Sequence, residues 1–261
     1  MYAMERQQVI EQILADDGRV AVHELASRFG VTTETVRRDL DAMERDGGLR
    51  RVHGWAIATD RGSTAEPTVA ERAATHGDAK RAIAARAVEV VGQGFSGSVF
   101  FDAGTTTAAV AEALPTRLAA VGGRADVVTH SLTLAPALAA ADGVSLSVIG
   151  GRIRGVTAAA VGAGTVRSVE GLRPDIAFIG ANGVSAGFGL STPDPEEAAV
   201  KEAIVRVARR IVVVADSSKW GRELLTGFAR LDAVDVLVTD AAPTGELADA
   251  LAAAEVEVWV A

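Results

Sequence analysis

The sequence contains no cysteine, and only three of its 26 basic residues are lysine. Without cysteine the chain can form no disulfide, no thiolate nucleophile and no Cys-ligated metal site, and its four widely spaced histidines do not favour a zinc site. No apolar run approaches the ~18 residues of a membrane span, and the first residues, MYAMERQQ, lack the features of a signal peptide. We therefore expect a cytoplasmic protein with no cofactor, no metal and no membrane partner.

Positive charge is in the minority, because 26 Lys and Arg face 34 Asp and Glu, for a formal net charge of −8. This balance argues against a protein that coats nucleic acid or an acidic membrane over its whole surface, although it leaves room for a local basic patch. The 261 residues, 49% of them hydrophobic, are sufficient for a buried core and for two domains.

The hydrophobic pattern changes along the chain. Residues 1–58 show compact helical patterns with no strand-like run before Leu49, and the polar stretch ATDRGSTAEP leads into a predicted linker over residues 59–75. From residue 76 to 261, apolar runs of strand length alternate with helical segments. The predicted strands are residues 98–102, 126–130, 144–150, 175–180, 210–216, 234–240 and 255–260. Because most of these runs are nearly continuously apolar, they predict a parallel sheet buried on both faces, and hence an α/β domain.

The pattern of the first 58 residues predicts three helices and a β-hairpin. In the third helix, VTTETVRRDLDAMERDG, the residues Val36, Leu40 and Met43 form a buried stripe, and Thr32 is the predicted N-cap. The opposite face and its edges carry Thr33, Glu34, Thr35, Arg37 and Arg38. Two helices joined by a tight turn at Gly30 are typical of a helix-turn-helix, in which the second helix reads base edges of DNA.

A hairpin follows the third predicted helix. The segment LRRVHGWAIA, residues 49–58, alternates after a Gly-Gly break and adds Arg50, Arg51 and His53 to the predicted DNA-binding residues. Residues 1–58 contain eight Arg and ten Asp or Glu, so DNA binding would depend on a local cluster, doubled by dimerisation. In the alternative interpretation, these charged side chains only face solvent and bind no DNA.

These motifs resemble a known family. TVRRDL followed by RRVHG is similar to the N-terminal winged helix-turn-helix of the DeoR family of bacterial transcription regulators, and the resemblance covers residues 5–54. Trp55 stands where the family usually has a glycine, which alters the expected shape of the wing tip. Because the resemblance begins near Glu5, Met4 is a candidate natural start. The resemblance implies a winged helix-turn-helix domain that binds a double-stranded DNA operator.

In the C-terminal half, FDAGTTT places Asp102 at the end of a strand, Gly104 in a turn, and Thr105, Thr106 and Thr107 at the start of a helix. Backbone N–H groups and hydroxyls at a helix N terminus suit a phosphate oxyanion, although threonine also caps helices that bind nothing. Three other strands end in the polar loops VIGGR, FIGANGVS and VADSSK. Because ligands of open parallel sheets bind at the carboxyl ends of the strands, these loops predict one binding site.

Glu197 and Lys201 are four residues apart in the helical segment DPEEAAVKEAI. This spacing supports a surface ion pair worth about 0.2–0.5 kcal/mol, which is the simplest explanation of both residues. The three lysines are Lys80, Lys201 and Lys219. Lysine is a compact point charge, so its retention in a chain that otherwise uses arginine favours a role at these positions.

The C-terminal half resembles the effector domain of the same family, which has a Rossmann-like fold related to ribose-5-phosphate isomerase. The resembling segments include FFDAGTTTAAVAEALP, VVTHSLTLAPALA and ADSSKWG, so the resemblance extends over nearly the whole chain. The effector-binding residues predicted in this way are Asp102, Gly104, Thr105, Thr106, Thr107, His130, Gly151, Asn182, Gly183, Glu197, Lys201 and Lys219. His130 stands where the family usually has asparagine, and it either alters effector choice or preserves a hydrogen bond.

The sequence thus predicts a transcription regulator, expected to repress carbohydrate metabolism genes, whose DNA binding is modulated by a phosphorylated sugar. Paired winged helices read two half-sites, so a homodimer or homotetramer is expected. The alternative is a sugar-phosphate isomerase or deaminase with Asp102, Glu197 or Asp216 as general base, which would leave the DNA-binding half unexplained. A sensor for an unphosphorylated ligand is a third possibility, because an inorganic anion could fill the threonine loop.

Overall fold

The computed structural model describes residues 3–17, 19–45, 49–52, 54–58, 63–64 and 66–261. The chain forms two compact units, residues 1–62 and residues 63–261. Most of the predicted linker over residues 59–75 therefore belongs to the second unit. None of the described helices is long and apolar enough to cross a membrane.

The described residues of the first unit form three helices and three short strands. They are α1 (Ala3–Asp17), β1 (Arg19–Ala21), α2 (Val22–Phe29), α3 (Thr33–Arg45), β2 (Leu49–Val52) and β3 (Trp55–Ala58). The strands pair antiparallel in the order β1-β3-β2. This arrangement confirms the predicted helices and hairpin. The expectation of no strand before Leu49 is wrong, because β1 is too short to show an alternating pattern.

Apolar residues at helical spacing form the core of this unit. Ile10 of α1, Leu25 of α2, and Val36 and Leu40 of α3 are fully buried in one cluster. The stripe predicted for the third helix therefore faces the core, as its spacing requires. The opposite face of α3 is left to solvent.

The turn between α2 and α3 is fixed by two local features. Gly30 has a φ of 64°, a left-handed conformation that glycine adopts without steric cost and that ends α2. Thr32 Oγ1 accepts the backbone N–H of Thr35 at 3.2 Å, which confirms the predicted N-cap. Together they set where the exposed face of α3 begins.

The second unit alternates strands and helices through residues 66–261, which the structure describes without a gap. Its helices are α4 (Val69–Ala74), α5 (Gly77–Ala87), α6 (Thr105–Val121), α7 (Ala135–Ala139), α8 (Ala163–Glu170), α9 (Pro195–Val207) and α10 (Gly245–Ala253). Its strands are β4 (Ser96–Phe101), β5 (Arg124–Thr129), β6 (Val144–Val148), β7 (Arg152–Arg154), β8 (Ala159–Val161), β9 (Ile176–Gly180), β10 (Gly183–Ser185), β11 (Gly189–Thr192), β12 (Ile211–Val214), β13 (Thr226–Ala229), β14 (Val236–Thr239) and β15 (Glu257–Val260).

One seven-stranded parallel sheet, in the order β15-β14-β12-β9-β4-β5-β6, organises this unit. Its strands coincide with the seven predicted apolar runs, so the predicted α/β class and Rossmann-like sheet are confirmed. From β4 the sheet grows through β5 and β6 on one side, and through β9, β12, β14 and β15 on the other. The strand order therefore reverses between β4 and β9, and such a switch point leaves a crevice at the carboxyl ends of the strands.

The sheet is buried on both faces because successive strand residues belong to two different cores. Val99 and Phe101 of β4 pack in the core that contains α5 and α6, whereas Phe100 between them packs in the core that contains α9. The Phe101 ring stacks on Phe178 of β9 with 5.1 Å between the ring centroids. This packing holds the carboxyl ends of β4 and β9 side by side.

Shorter strands add two antiparallel pieces to the unit. β7 pairs with β8, and β10, β11 and β13 form a three-stranded sheet. Neither piece is predicted from the sequence, because strands of three or four residues are too short to show a period. Along the chain, β7 follows β6, β10 follows β9 and β13 follows β12, so each piece includes a segment that comes after a strand of the parallel sheet.

The segment predicted as a linker is structured in its second half. Thr68 and Glu71 form a capping box at the start of α4, with the Thr68 backbone N–H donating to Glu71 Oε2 at 2.6 Å. The Val69 N–H donates to Val156 O at 2.7 Å, which ties the segment to the loop between β7 and β8. Residues 66–75 are therefore a part of the second unit and not a connecting chain.

Candidate functional site

The exposed face of α3 carries side chains predicted to bind DNA. Thr33, Glu34, Arg37 and Arg38 are exposed, and Thr35 is half-buried. The Glu34 carboxylate lies 3.9 Å from Arg37 Nη1 and 3.7 Å from Arg38 Nε. Exposed ion pairs of this length contribute little, so both guanidinium groups can turn to phosphates or bases of DNA.

The hairpin contributes one described arginine side chain to this surface. Arg51 pairs with Asp41 at 2.5 Å and with Glu44 at 3.1 Å, so it braces the hairpin against α3. Arg50 lies in β2, and His53 lies outside the described residues. DNA contact by these three residues stays a prediction.

In the second unit, the threonine loop lies at the switch point of the sheet. Helix α6 begins at Thr105, directly after Gly104, and its first turn lines the crevice at the end of β4. Thr107 Oγ1 donates to Gly104 O at 2.9 Å, whereas the Thr105 and Thr106 hydroxyls make no hydrogen bond within the described residues. The first-turn N–H groups of a helix have no intrahelical acceptor, so this end of α6 offers donors to a ligand.

A cavity at the N terminus of α6 is lined by most of the predicted effector residues. The predicted residues that line it are Gly104, Thr105, Thr106, Thr107, Asn182, Glu197, Lys201 and Lys219. Lining residues absent from the prediction include Arg72, Thr75, Lys80 and Asp216. Arg72 and Thr75 fall in the predicted linker and carried no sequence signal. The sequence did draw attention to the other two: Lys80 is one of only three lysines, and Asp216 lies in a polar loop at the end of a strand.

Asp102 and Lys201 form a buried ion pair beside the cavity. Asp102 is fully buried, and its Oδ2 accepts from Lys201 Nζ and, at 3.1 Å, from the Gly180 N–H. Lys201 Nζ also donates to Gly180 O at 2.9 Å. Burial alone would raise the pKa of Asp102, but Lys201 and His130 outweigh it and lower that pKa to about 2. Asp102 is therefore a carboxylate that orients Lys201.

His130 lies behind this pair and does not line the cavity. Its Nε2 lies 3.1 Å from Asp102 Oδ1 and 3.2 Å from the Ala103 backbone nitrogen, and its Nδ1 lies 2.8 Å from Ala160 O. Since both ring nitrogens are engaged and the side chain is buried, His130 positions Asp102 and the start of the threonine loop. Of the two alternatives predicted for His130, this position favours a preserved hydrogen bond, and an effect on effector choice stays a prediction.

Gly151 and Gly183 also lie outside the cavity lining. A Cβ on Gly151 would overlap Thr165 Oγ1 and lie 3.0 Å from Val161 O, and one on Gly183 would overlap Arg222 O. Both glycines therefore allow close packing of neighbouring atoms, and their contact with an effector stays a prediction.

Within the described residues, Glu197 and Lys201 do not form the surface ion pair that was the alternative to a role in effector binding. Both residues are buried, because the face of α9 that carries them packs on the sheet. Glu197 Oε1 accepts from Thr157 Oγ1 and, at 3.2 Å, from Arg154 Nη1, while Lys201 turns to Asp102. Tertiary partners thus replace the local pair that helical spacing favours.

Lys80, Asp216 and Lys219 form a second group of charges that line the cavity. Lys80 Nζ donates to Arg72 O and, at 2.8 Å, to Thr75 O. Burial lowers the pKa of Lys80 to about 8, an effect that Lys219 and Arg72 strengthen and Asp216 opposes. Asp216 Oδ2 is buried, has no hydrogen-bond partner among the described residues, and lies 3.9 Å from Lys219 Nζ. The cavity thus combines cationic side chains with the positive end of α6.

Similarity to solved structures is distant. Ribose 5-phosphate isomerase A from Methanocaldococcus jannaschii is 19% identical, with a TM-score of 0.43 over 57% of either chain. The delta subunit of eIF2B from Chaetomium thermophilum is 15% identical, with a TM-score of 0.44 over 65% of this chain and 57% of that one. At these values the structures carry no information about function.

Named relatives match almost the entire chain. The HTH-type transcriptional regulator GlpR of Haloferax volcanii is 36% identical over 91% of this chain and 89% of that protein. A putative aga operon transcriptional repressor of Escherichia coli O157:H7 is 31% identical, over 97% and 92%. The glycerol-3-phosphate regulon repressor of Escherichia coli K12 is 28% identical, over 93% of either protein.

Two family models match the two halves of the chain. The DeoR-like helix-turn-helix domain matches residues 6–61, which include the exposed face of α3. The DeoR C terminal sensor domain matches residues 75–241, which include most of the cavity lining. With both domains present in the family order and relatives that match from end to end, this chain belongs to the DeoR family of transcription regulators.

Proposed function

We propose that this regulator represses genes of carbohydrate metabolism, and that a phosphorylated sugar bound in the cavity modulates its binding to operator DNA. The proposal rests on one observation: the N terminus of α6 and the side chains of Lys80, Lys201 and Lys219 line the same cavity. Two relatives are named as repressors of the glycerol-3-phosphate regulon and of an aga operon, which supports both the direction of regulation and the ligand class.

The proposed phosphate lies at the start of α6. First-turn N–H groups donate to its oxygens, and the hydroxyls of Thr105 and Thr106 add two further donors. The macrodipole of this 17-residue helix and the lysine charges favour an anion at this point. Asn182 and Asp216 line the same cavity and can bond to sugar hydroxyls, so the phosphate supplies affinity and the hydroxyls supply selectivity.

The proposed DNA contact is made by α3. Inserted in the major groove, its exposed face brings Arg37 and Arg38 to bases or phosphates. One such helix reads a short half-site, so we expect a homodimer or homotetramer that reads two half-sites of an operator. The proposed place of action is the cytoplasm, where double-stranded DNA and phosphorylated sugars are both available.

Catalysis on a sugar phosphate is the alternative that the site geometry disfavours. Asp102 is fully buried and paired with Lys201, and Glu197 is held by a hydroxyl and a guanidinium. Asp216 is the candidate base with a carboxylate oxygen that lacks a hydrogen-bond partner within the described residues. Turnover in an isomerase or deaminase assay that Asp216→Asn abolishes would favour the enzyme.

A thermal-shift screen with sugar phosphates tests the proposed ligand class. A ligand at about 100 times its dissociation constant should stabilise the protein by ~2.7 kcal/mol, and a ligand found in this way should alter affinity for selected operator DNA. Thr105→Ala should lose the shift. Thr116→Ala, exposed on the same helix, is the matched control and should keep it. Stabilisation by neutral sugars but by no phosphorylated one would contradict the phosphate site.

A further inference from the structure

The start of the second unit forms one wall of the effector cavity. Residues 63–75 follow the first unit directly in the chain and include α4. Arg72 and Thr75 of this segment line the same cavity as Thr105 and Thr106 of α6. A ligand at the N terminus of α6 therefore shares its cavity with side chains of the segment that leads to the DNA-binding unit.

Arg72 has one guanidinium edge without a protein partner. Its Nη1 lies 3.6 Å from Glu66 Oε1, which holds one side of the group. Its Nε and Nη2 are buried and have no hydrogen-bond partner within the described residues. A buried donor without an acceptor destabilises the folded protein. Two such donors on one side chain that lines a cavity indicate an acceptor supplied by a ligand.

The open edge of Arg72 has the geometry that recognises an oxyanion. The Nε–H and one Nη2–H point to the same side of the guanidinium and match two oxygens of a phosphate or carboxylate. The first unit contains such a pairing, in which Arg6 Nε donates to Asp39 Oδ2 at 2.6 Å and Arg6 Nη2 donates to Asp39 Oδ1 at 3.1 Å. Arg72, which lines the cavity, has no such carboxylate partner for its Nε and Nη2 within the described residues.

The segment is held against the cavity wall by polar contacts that involve site residues. Glu66 accepts from Arg154 Nη1 at 2.5 Å and from Asn182 Nδ2 at 3.4 Å. Lys80 Nζ donates to the carbonyl oxygen of Arg72. Since Asn182 and Lys80 also line the cavity, the position of the segment and the shape of the cavity are set by the same groups.

We propose that Arg72 binds the phosphate of the effector together with the first turn of α6, so that effector binding fastens residues 63–75 to the cavity wall. The inference rests on the proposed function and adds a binding residue and a route of regulation to it. A ligand that contacts Arg72 binds the fastened arrangement better than a loosened one, and this difference in affinity sets the size of the response. The fastened segment restrains the chain that leads to the DNA-binding unit.

The test uses the full chain with inorganic phosphate as the probe. Arg72→Lys keeps a positive charge but removes the two-donor edge, and Arg81→Lys, exposed on α5, is the matched control. Thr105→Ala tests the other half of the phosphate site. Calorimetric titration measures phosphate affinity, and hydrogen exchange of residues 63–75 with and without phosphate measures how firmly the segment is held.

Arg72→Lys should weaken phosphate binding about tenfold or more, because it removes hydrogen bonds to a charged group. It should also remove the slowing of exchange that phosphate produces in residues 63–75, while Arg81→Lys behaves as the wild type. This inference would be overturned if Thr105→Ala lost phosphate binding while Arg72→Lys kept both its phosphate affinity and the slowed hydrogen exchange of residues 63–75. The proposed function would still stand in that case. A wild-type protein that binds neither inorganic phosphate nor any sugar phosphate would overturn both.

Discussion

Replacing Lys201 by methionine should strongly destabilise the second unit. The change removes the ammonium that pairs with Asp102 and keeps an unbranched side chain at a buried position of α9. Removal of one partner from a buried ion pair leaves an uncompensated charge and costs about 3–5 kcal/mol. Because Asp102 is fully buried, water cannot compensate for the lost partner. We expect the free energy of unfolding to fall by an amount in this range.

The lowered pKa of Asp102 gives a second measure of how much its interactions in the folded state stabilise the protein. Its folded-state pKa of about 2 lies below its ordinary value of 3.8. The difference corresponds to roughly 2 kcal/mol at neutral pH. Because the folded-state pKa is lowered, this stabilisation is present above the unfolded pKa and is lost as pH falls from about 4 towards 2. The stability difference between the wild type and Lys201→Met should therefore narrow over this acidic range.

Urea unfolding followed by tryptophan fluorescence measures the effect. The chain has three tryptophans, so a Trp55→Phe background leaves Trp220 and Trp259 as reporters of the second unit. The double variant Asp102→Asn, Lys201→Met completes a mutant cycle. It should cost less than the sum of the two single changes, since each single change leaves a buried group without its partner.

Arg206→Met on the same helix is the matched control. It removes an exposed pair, Arg206 Nη2 to Glu170 Oε1 at 2.8 Å, and should change stability by about 1 kcal/mol or less. The reasoning would be refuted if Lys201→Met cost no more than this control. Strict additivity of the two single changes at the buried pair would refute it as well.

Three further predictions concern DNA, packing and pH. The double variant Arg37→Ala, Arg38→Ala should lose about 1–3 kcal/mol of operator-binding free energy for each arginine that reads a base. Fluorescence anisotropy titration measures this affinity, and an affinity equal to that of the wild type would contradict the prediction. Gly151→Ala should cost about 1–3 kcal/mol in urea unfolding because its Cβ lacks room, whereas Gly150→Ala, which has open space, should be near neutral. Phosphate affinity should fall as pH rises through about 8, because Lys80 loses its charge there. Lys80→Arg should flatten this pH profile, and a profile that survives the substitution would exclude Lys80 as its source.

The parallel sheet could be predicted because its strands are nearly continuous apolar runs in the sequence. A strand such as β12, Ile211–Val214, is apolar throughout, since both of its faces are covered. The same reasoning missed β1, β7 and β8, which have three residues each and show no period. It also missed α4, because a capping box in a polar stretch was outweighed by the neighbouring Gly, Ser and Pro.

The location of the site could be predicted, but its internal partners could not. Polar strand ends meet at one edge of a parallel sheet, and the cavity lies there. The partners of these residues come from remote parts of the chain, such as Asp102 for Lys201 at a separation of 99 residues and Glu66 for Arg154 at 88. Helical spacing considers only local neighbours, so the only partner that it offers Glu197 is Lys201, as a surface pair.

His130 illustrates why a departure from a family pattern is hard to interpret from sequence. Its neighbours along the chain do not reveal that Asp102 Oδ1 lies 3.1 Å from one ring nitrogen and Ala160 O lies 2.8 Å from the other. Of the two alternatives left open for this residue, its buried position favours preservation of a hydrogen bond over a direct choice of effector. Under the proposed function, side chains that line the cavity, such as Asn182 and Asp216, would then select the sugar.

The pairing of charges shows where the cavity attracts an anion. The Lys201 charge is balanced by Asp102, and Asp216 lies 3.9 Å from Lys219. Lys80 is different, because its ammonium donates to backbone carbonyls and no carboxylate of the described residues lies within ion-pair distance. Arg72, whose Nη1 lies 3.6 Å from Glu66 Oε1, is a second cation on the α4 and α5 side of the cavity. Under the proposed function, an anionic effector would therefore bind on this side of the cavity, next to the segment that follows the DNA-binding unit.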